Sequence, residues 1–475
     1  MGVLKSLTGQ TAYYGISSMA GRLLNYLLTP MWSNWILPPE RLGIVNYLYA
    51  WAALLNVVLT YGMETAFFRY SSDPSCDRKK VADTAFTSLF FSTTILLIGG
   101  LAFYRQIADF VDYGDQAACL FYFVLIVAMD TYAVIPFAKL RLDNQAFKYA
   151  MVRVAGIGLM VLLNLILLYF LPRYGVMEVD VKSIFISNVA GSAFVLLLLS
   201  GELKKFALYL NKALWKKMLK YGWPILIGGT AYVVNETMDR VFLRMLLPAD
   251  VSEYWLGVYG VCFKLAIFIT LFVQAFRLAM EPFFFSHARD RDARQTYATV
   301  TLYFTVTVSA MYVGIMANLP WLKDMFIGSE YQAGIDIVPI VLFANVFLGL
   351  YYNLSMWYKL TDRTKWGAYI SILGAVVTTT VIFYGVPRFG YMAAAWSHLA
   401  TYGVMMLVSF AFGQYFYPVP YNIPKIVLYL LLGWGCGYVS WYLLDGNVLV
   451  GNALFAVFCA VVYFVERKNF KKVFS

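Results

Sequence analysis

Six cations lie inside stretches of this sequence that are otherwise apolar enough to sit in hydrocarbon: Arg22, Arg153, Arg240, Arg244, Lys264 and Arg277. An ionisable side chain at bilayer depth costs a few kcal/mol on insertion scales, so it faces a partner or a water-filled cavity. Arg22 is about 14 residues into the first apolar run, roughly 21 Å of helix, and Lys264 about ten residues into the eighth, so both are deep. Arg153 and Arg244 are nearer the ends of their runs, where long stems snorkel to headgroups. Glu236 and Arg240 are four apart, with Asp239 one step round, and Arg277 and Glu281 repeat that spacing. Pairs on one helix face read as local neutralisation that makes insertion tolerable. Asp130 and Glu64 have no obvious local partner. That leaves three roles open: a protonatable group, a cation-coupling site, or a pair made across helices. With local pairs set aside, Arg22 and Lys264 remain as deep positive charges. Facing one cavity, they would bind a phosphate or carboxylate, which relieves both their desolvation and their mutual repulsion.

Other chemistries find little support. His287 and His398 are isolated and HExxH is missing, so no metal is expected. The five cysteines (Cys76, Cys119, Cys262, Cys436, Cys459) are odd in number and scattered, which indicates neither a disulfide framework nor a CxxC site. A Walker A motif is absent, so no nucleotide motor and no cofactor are expected.

The elements that must position the charges are membrane helices. Of 475 residues, 61% are apolar and 13% charged, against about 45–50% and about 25% in soluble domains. Mean hydropathy is +0.67. Runs long enough to cross a bilayer fall at about 8–35, 42–68, 81–104, 116–138, 146–171, 181–201, 216–247, 254–286, 295–319, 332–358, 365–386, 390–413, 424–444 and 449–466, fourteen in all. No connection is long enough for a folded soluble domain. Lys and Arg concentrate on one side, as in Arg78-Lys79-Lys80, Lys204-Lys205, Lys216-Lys217 and Arg467-Lys468, while opposite loops carry Asp109, Asp112, Asp115, Asp250 and Glu253. That bias predicts cytoplasmic termini and explains the net charge of +11 without nucleic acid. The run Ala12–Leu37 is too long for a signal-peptide core, so no cleavage is expected. Pro30, Pro136, Pro224, Gly228-Gly229, Pro282 and Pro339 predict bent helices. Gly433 and Gly437 form a GxxxG expected to pack spans thirteen and fourteen, or a second protomer.

A long internal repeat is present. Span two ends Met63-Glu64-Thr65-Ala66-Phe67-Phe68 and span eight ends Met280-Glu281-Pro282-Phe283-Phe284, 217 residues later; Leu37-Pro38 is echoed by Leu247-Pro248. Six spans separate the copies, so the halves are expected in parallel orientation, as in two-lobed transporters. The expected division is 1–205 (spans one to six), 206–415 (spans seven to twelve) and 416–475 (two appended helices).

In order and topology, these features resemble the bacterial polysaccharide transporters, the O-antigen (oligosaccharide) flippase branch of the MATE-like exporter superfamily. The carrying residues are Arg22, Gly62-Met63-Glu64-Thr65-Ala66-Phe67-Phe68-Arg69-Tyr70, Asp239-Arg240, Leu256-Gly257-Val258-Tyr259 and Lys264. The resemblance implies an all-α polytopic membrane protein with two six-helix lobes in a V-shaped arrangement, working by alternating access. It implies flipping of undecaprenyl-pyrophosphate-linked oligosaccharide (O-antigen, capsule or exopolysaccharide) to the outer leaflet of the bacterial cytoplasmic membrane. Arg22 and Lys264 would then bind pyrophosphate or acidic sugar, with Arg240 and Arg277 as secondary lining. Asp130, Glu64, Glu236, Asp239 and Glu281 would serve ion coupling or pairing. Implied partners are the lipid-linked glycan, the bilayer, and a polysaccharide polymerase or glycosyltransferases. Two relatives give alternative readings: a cation-coupled multidrug exporter, which needs acidic residues in its cavity, and a lipid II flippase, whose first lobe is richer in Arg. No loop has the size of the external catalytic loop of a membrane polymerase or ligase, so an enzyme is not expected.

Overall fold

The computed structural model describes residues 23, 24, 26, 28–287 and 290–473. Its described elements are helical, with no strand among the described residues. They are α1 (Pro39–Thr60), α2 (Met63–Ser71), α3 (Arg78–Phe110), α4 (Ala117–Leu142), α5 (Ala146–Leu165), α6 (Lys182–Leu198), α7 (Lys212–Thr237), α8 (Asp239–Leu246) and α9 (Ala249–Phe263). There follow α10 (Ile267–Ser286), α11 (Ala293–Ala317), α12 (Leu319–Phe326), α13 (Ile337–Leu354), α14 (Met356–Leu360), α15 (Lys365–Phe389), α16 (Met392–Phe416), α17 (Ile423–Tyr438) and α18 (Val448–Val473).

Among the described residues, eleven helical runs are long and apolar enough to cross a membrane, from Pro39–Ser71 to Val448–Arg467. Each coincides with one of the spans expected from hydropathy. Of the other three, span six is the shorter apolar helix α6. Span seven is α7 with α8, a helix carrying Lys212, Lys216, Lys217, Lys220, Glu236, Asp239, Arg240 and Arg244. Most of span one lies outside the described residues. The chain is an all-α, multi-pass membrane protein.

Packing divides it into two compact units, Met1–Val241 and Phe242–Ser475. This division falls later than the repeat boundary because α7 lies against α1, α2 and α3. The connection ahead of α7 is also fastened to α3. Asp83 accepts from the Ala207 amide at 2.9 Å, Thr84 Oγ1 from the Asn211 amide at 3.3 Å, and Phe206 stacks on Phe86 at 4.7 Å. Helix starts are set locally: Asp77 caps α3 and Asn211 caps α7, each accepting two backbone N–H groups that the helix leaves unsatisfied.

Small residues set a close crossing of α7 on the α1–α2 turn. A Cβ on Gly62 would come within 2.6 Å of the Gly222 carbonyl oxygen, and one on Gly222 within 2.6 Å of the Tyr61 oxygen. Gly62 also has φ +71°, so it both turns α1 into α2 and admits the backbone of α7. The GxxxG of α17 packs differently from expectation: Gly433 meets Ser309 and Gly437 meets the Tyr312 ring, so its partner is α11 of span nine. The helical runs break at positions other than Pro136, Pro224 and Pro339. Helices α4 and α7 run through Pro136 and Pro224, and Pro339 sits in the first turn of α13, where its missing N–H costs nothing. Spans two, seven and eight are interrupted instead at Tyr61–Gly62, at Met238, and by a 3₁₀ turn at Lys264–Ala266.

Candidate functional site

Within the first unit, Glu64 at the start of α2 is paired across helices with Arg141 at the end of α4. The Arg141 guanidinium also lies over the Phe68 ring, 4.8 Å from its centroid. Asp130, halfway along α4, accepts from the Ser192 hydroxyl of α6 at 2.8 Å. Arg153 contributes an electrostatic attraction to Asp130. Its guanidinium sits 4.3 Å from the Phe137 centroid, so it packs on α4 within its unit. Asp130 is exposed on the surface of its unit.

On span seven, Arg240 bonds the fully buried Asp239 carboxylate at 2.9 Å and the Glu236 backbone carbonyl at 3.2 Å. The ion pair therefore runs to Asp239, one residue away, rather than to the Glu236 side chain four away. Arg244 pairs with Glu253 at 2.6 Å across the α8–α9 turn.

In the second unit Glu281, near the end of α10, is shared by two cations. Arg277 reaches it at 3.4 Å from one turn earlier, and Lys359 of α14 reaches it from another helix. Arg277 also sits 4.6 Å from the Tyr352 ring centroid, so the cation is held from two sides. Lys264 is half-buried and opens the 3₁₀ turn that interrupts span eight, with Leu265 and Ala266 beside it buried. Tighter winding in mid-helix is a frequent mark of a functional hinge. Arg22 lies outside the described residues.

Sequence spacing found Arg277–Glu281 because those residues share a helix. It missed Arg141, Ser192 and Lys359, which come from distant segments. One signal was present for two of them: Arg141 and Lys359 are 218 residues apart, almost the repeat of 217 that relates Glu64 to Glu281. Outside the spans, burial alone would raise the Glu202 carboxyl. Hydrogen bonds from Lys148 at 2.6 Å and Lys205 at 2.8 Å outweigh it and hold the group below its ordinary range.

A family profile described as polysaccharide biosynthesis protein matches residues 7–287. The chain belongs to that family. A second profile, MatE, matches residues 229–384. Similar curated proteins include the Lsg locus putative protein 1 of Haemophilus influenzae, 21% identical over 69% of this chain and 80% of that one. An uncharacterized membrane protein of the same organism is 20% identical over 80% and 92%. Among solved structures, the lipid II flippase MurJ in an inward closed conformation superposes with TM-score 0.71 at 15% identity, over 94% of this chain and 98% of that one. An inward-facing multidrug resistance MATE family transporter superposes with TM-score 0.63 at 14% identity, over 88% and 95%. The protein is thus a member of the MATE-like polysaccharide flippase superfamily, and at these identities the structural likeness speaks for the fold.

Proposed function

We propose that this protein flips a polyprenyl-linked oligosaccharide, carried on undecaprenyl pyrophosphate, from the inner to the outer leaflet of a bacterial cytoplasmic membrane by alternating access. Both termini are assigned to the cytoplasm, where the basic loops lie. The observation that carries the reading is the match of residues 7–287 to the polysaccharide biosynthesis family, in a chain that sets Arg277 and Lys359 together at Glu281. Arg22, Lys264 and Arg240 are the further cations assigned to the path, while Asp130 is assigned to proton or cation coupling. Glycosyltransferases and a polysaccharide polymerase are the partners that would supply and consume such a substrate.

A membrane potential negative inside acts with about 2.3 kcal/mol per charge per 100 mV. Bound cations that neutralise pyrophosphate make the loaded carrier nearly insensitive to voltage, so the potential acts on the empty, positive return step. Arg22→Ala and Lys264→Ala are each expected to abolish surface glycan in cells while leaving the protein in the membrane fraction. Wild-type surface glycan in both variants would overturn the anion-site assignment. The multidrug reading draws on the MatE match and on Asp130. It requires drug efflux that collapses in Asp130→Asn with surface glycan unaffected.

A further inference from the structure

The first unit carries a groove of about 690 Å³ between α3 and α7, lined by Ser88, Phe91, Ile95, Trp215, Lys220 and Trp223 among others. Its polar floor is occupied internally: the Tyr61 hydroxyl and the Ser88 Oγ lie 2.6 Å apart, and the Trp215 indole N–H donates to the same Oγ at 2.8 Å. The remaining wall is apolar, and Phe91, Ile95 and Trp223 are exposed along it. From Thr87 to Ile95 the groove follows about 12 Å of α3, which fits within one leaflet of a hydrocarbon core about 30 Å thick.

One end of the groove is basic. Exposed Lys212, Lys216 and Lys217 on α7 and exposed Arg78, Lys79 and Lys80 at the start of α3 flank that end, and Lys220 lies within the groove, five residues beyond the Trp215 that bonds Ser88. The carboxylates at this end are engaged elsewhere. Asp73 accepts from Ser75, Asp77 caps α3, Asp83 accepts from the Ala207 amide, and Glu202 is held by Lys148 and Lys205. A cluster of lysines at a helix end, above an apolar slot one leaflet deep, complements a lipid with a charged phosphate and a straight chain.

We infer that this groove binds one acyl chain of an anionic phospholipid of the adjoining leaflet, with the lipid phosphate at Lys220. The inference holds for any transported substrate. A chain lodged there packs α3 against α7 beside the Gly62–Gly222 crossing and stiffens the entry to span seven.

The test uses the full-length protein in nanodiscs of mixed phosphatidylglycerol and phosphatidylcholine, with bound lipid counted by native mass spectrometry after detergent release. Phosphatidylglycerol is expected to be retained over phosphatidylcholine by about fivefold, one lysine's worth of attraction to an anionic surface. Lys220→Gln is expected to abolish that preference, and Ser92→Phe, which fills the slot, to release both lipids. As a second readout, added phosphatidylglycerol raises the melting temperature of the wild type but not of Ser92→Phe; Ile95→Trp serves if Ser92→Phe does not fold. Equal retention of the two lipids by the wild type, or unchanged retention in both variants, would overturn the inference. So would displacement of phosphatidylglycerol by polyprenyl phosphate from the wild type, since the slot would then belong to the cargo tail. Loss of glycan export with lipid retention intact would bear only on the proposed cargo.

Discussion

The ends of spans two and eight solve one problem with different charge. In the first, Met63 and Phe67 are buried and Glu64 is neutralised by Arg141. In the second, Met280 and Phe284 are buried 217 positions later, and Glu281 meets Lys359, 218 positions after Arg141. The repeat is therefore one of partners as well as of letters. The difference lies one helical turn earlier. Arg277 corresponds to Thr60, whose hydroxyl merely bonds back to the Asn56 carbonyl at 2.7 Å. The first lobe thus closes its pair as a neutral brace, whereas the second keeps the brace and adds a cation. Pairing is the shared, structural part, and Arg277 is what the second lobe adds to it.

Three substitutions test that contrast, and one titration probes a separate brace of the first unit. Glu281→Gln leaves two cations facing each other and is expected to cost about 1–3 kcal/mol, below the 3–5 typical of fully buried pairs because these groups are half-exposed. A melting temperature in detergent equal to wild type would break the comparison. Arg277→Thr makes the second lobe like the first. It is expected to lower glycan export at least about tenfold while melting shifts by less than about 1 kcal/mol, since Lys359 still holds Glu281. Loss of stability instead of export would make Arg277 part of the brace. Glu64→Gln strands one cation, not two, and is expected to cost about 1 kcal/mol in the same melting assay. The smallest effect belongs to Glu202. Its carboxyl is held below the ordinary range, so its contribution is complete above the unfolded value and disappears as pH falls through the lower folded one. Melting temperature against pH is expected to drop below about pH 4.5 less steeply in Glu202→Gln than in wild type.

Helix positions were legible because hydropathy over about 20 residues is a one-dimensional signal. Span seven is an instructive case. Its charges keep it outside a simple hydropathy criterion, yet the alternation of basic and acidic loops required a crossing there. The strings that carried the family resemblance are mostly packing residues: Met63, Ala66 and Phe67 in span two, Leu256 and Tyr259 in span eight, all nearly or fully buried. They specify how helices fit, which is why they identify a fold and family more readily than a cargo. Pairing across helices was illegible because Arg141 and Lys359 stand 77 and 78 positions from their glutamates. The interruptions at Tyr61, Met238 and Lys264 were illegible because no proline stands at any of them.

The short 3₁₀ segment at Lys264–Ala266 carries one more consequence. Three residues wound at 120° instead of 100° advance the helix by about 60° beyond a regular α-helix. The two halves of span eight accordingly present different azimuths: a wheel drawn through residues 249–263 assigns the wrong side to Arg277 and Glu281. A cysteine-accessibility scan along the span will show its periodicity slip by about a sixth of a turn at Lys264.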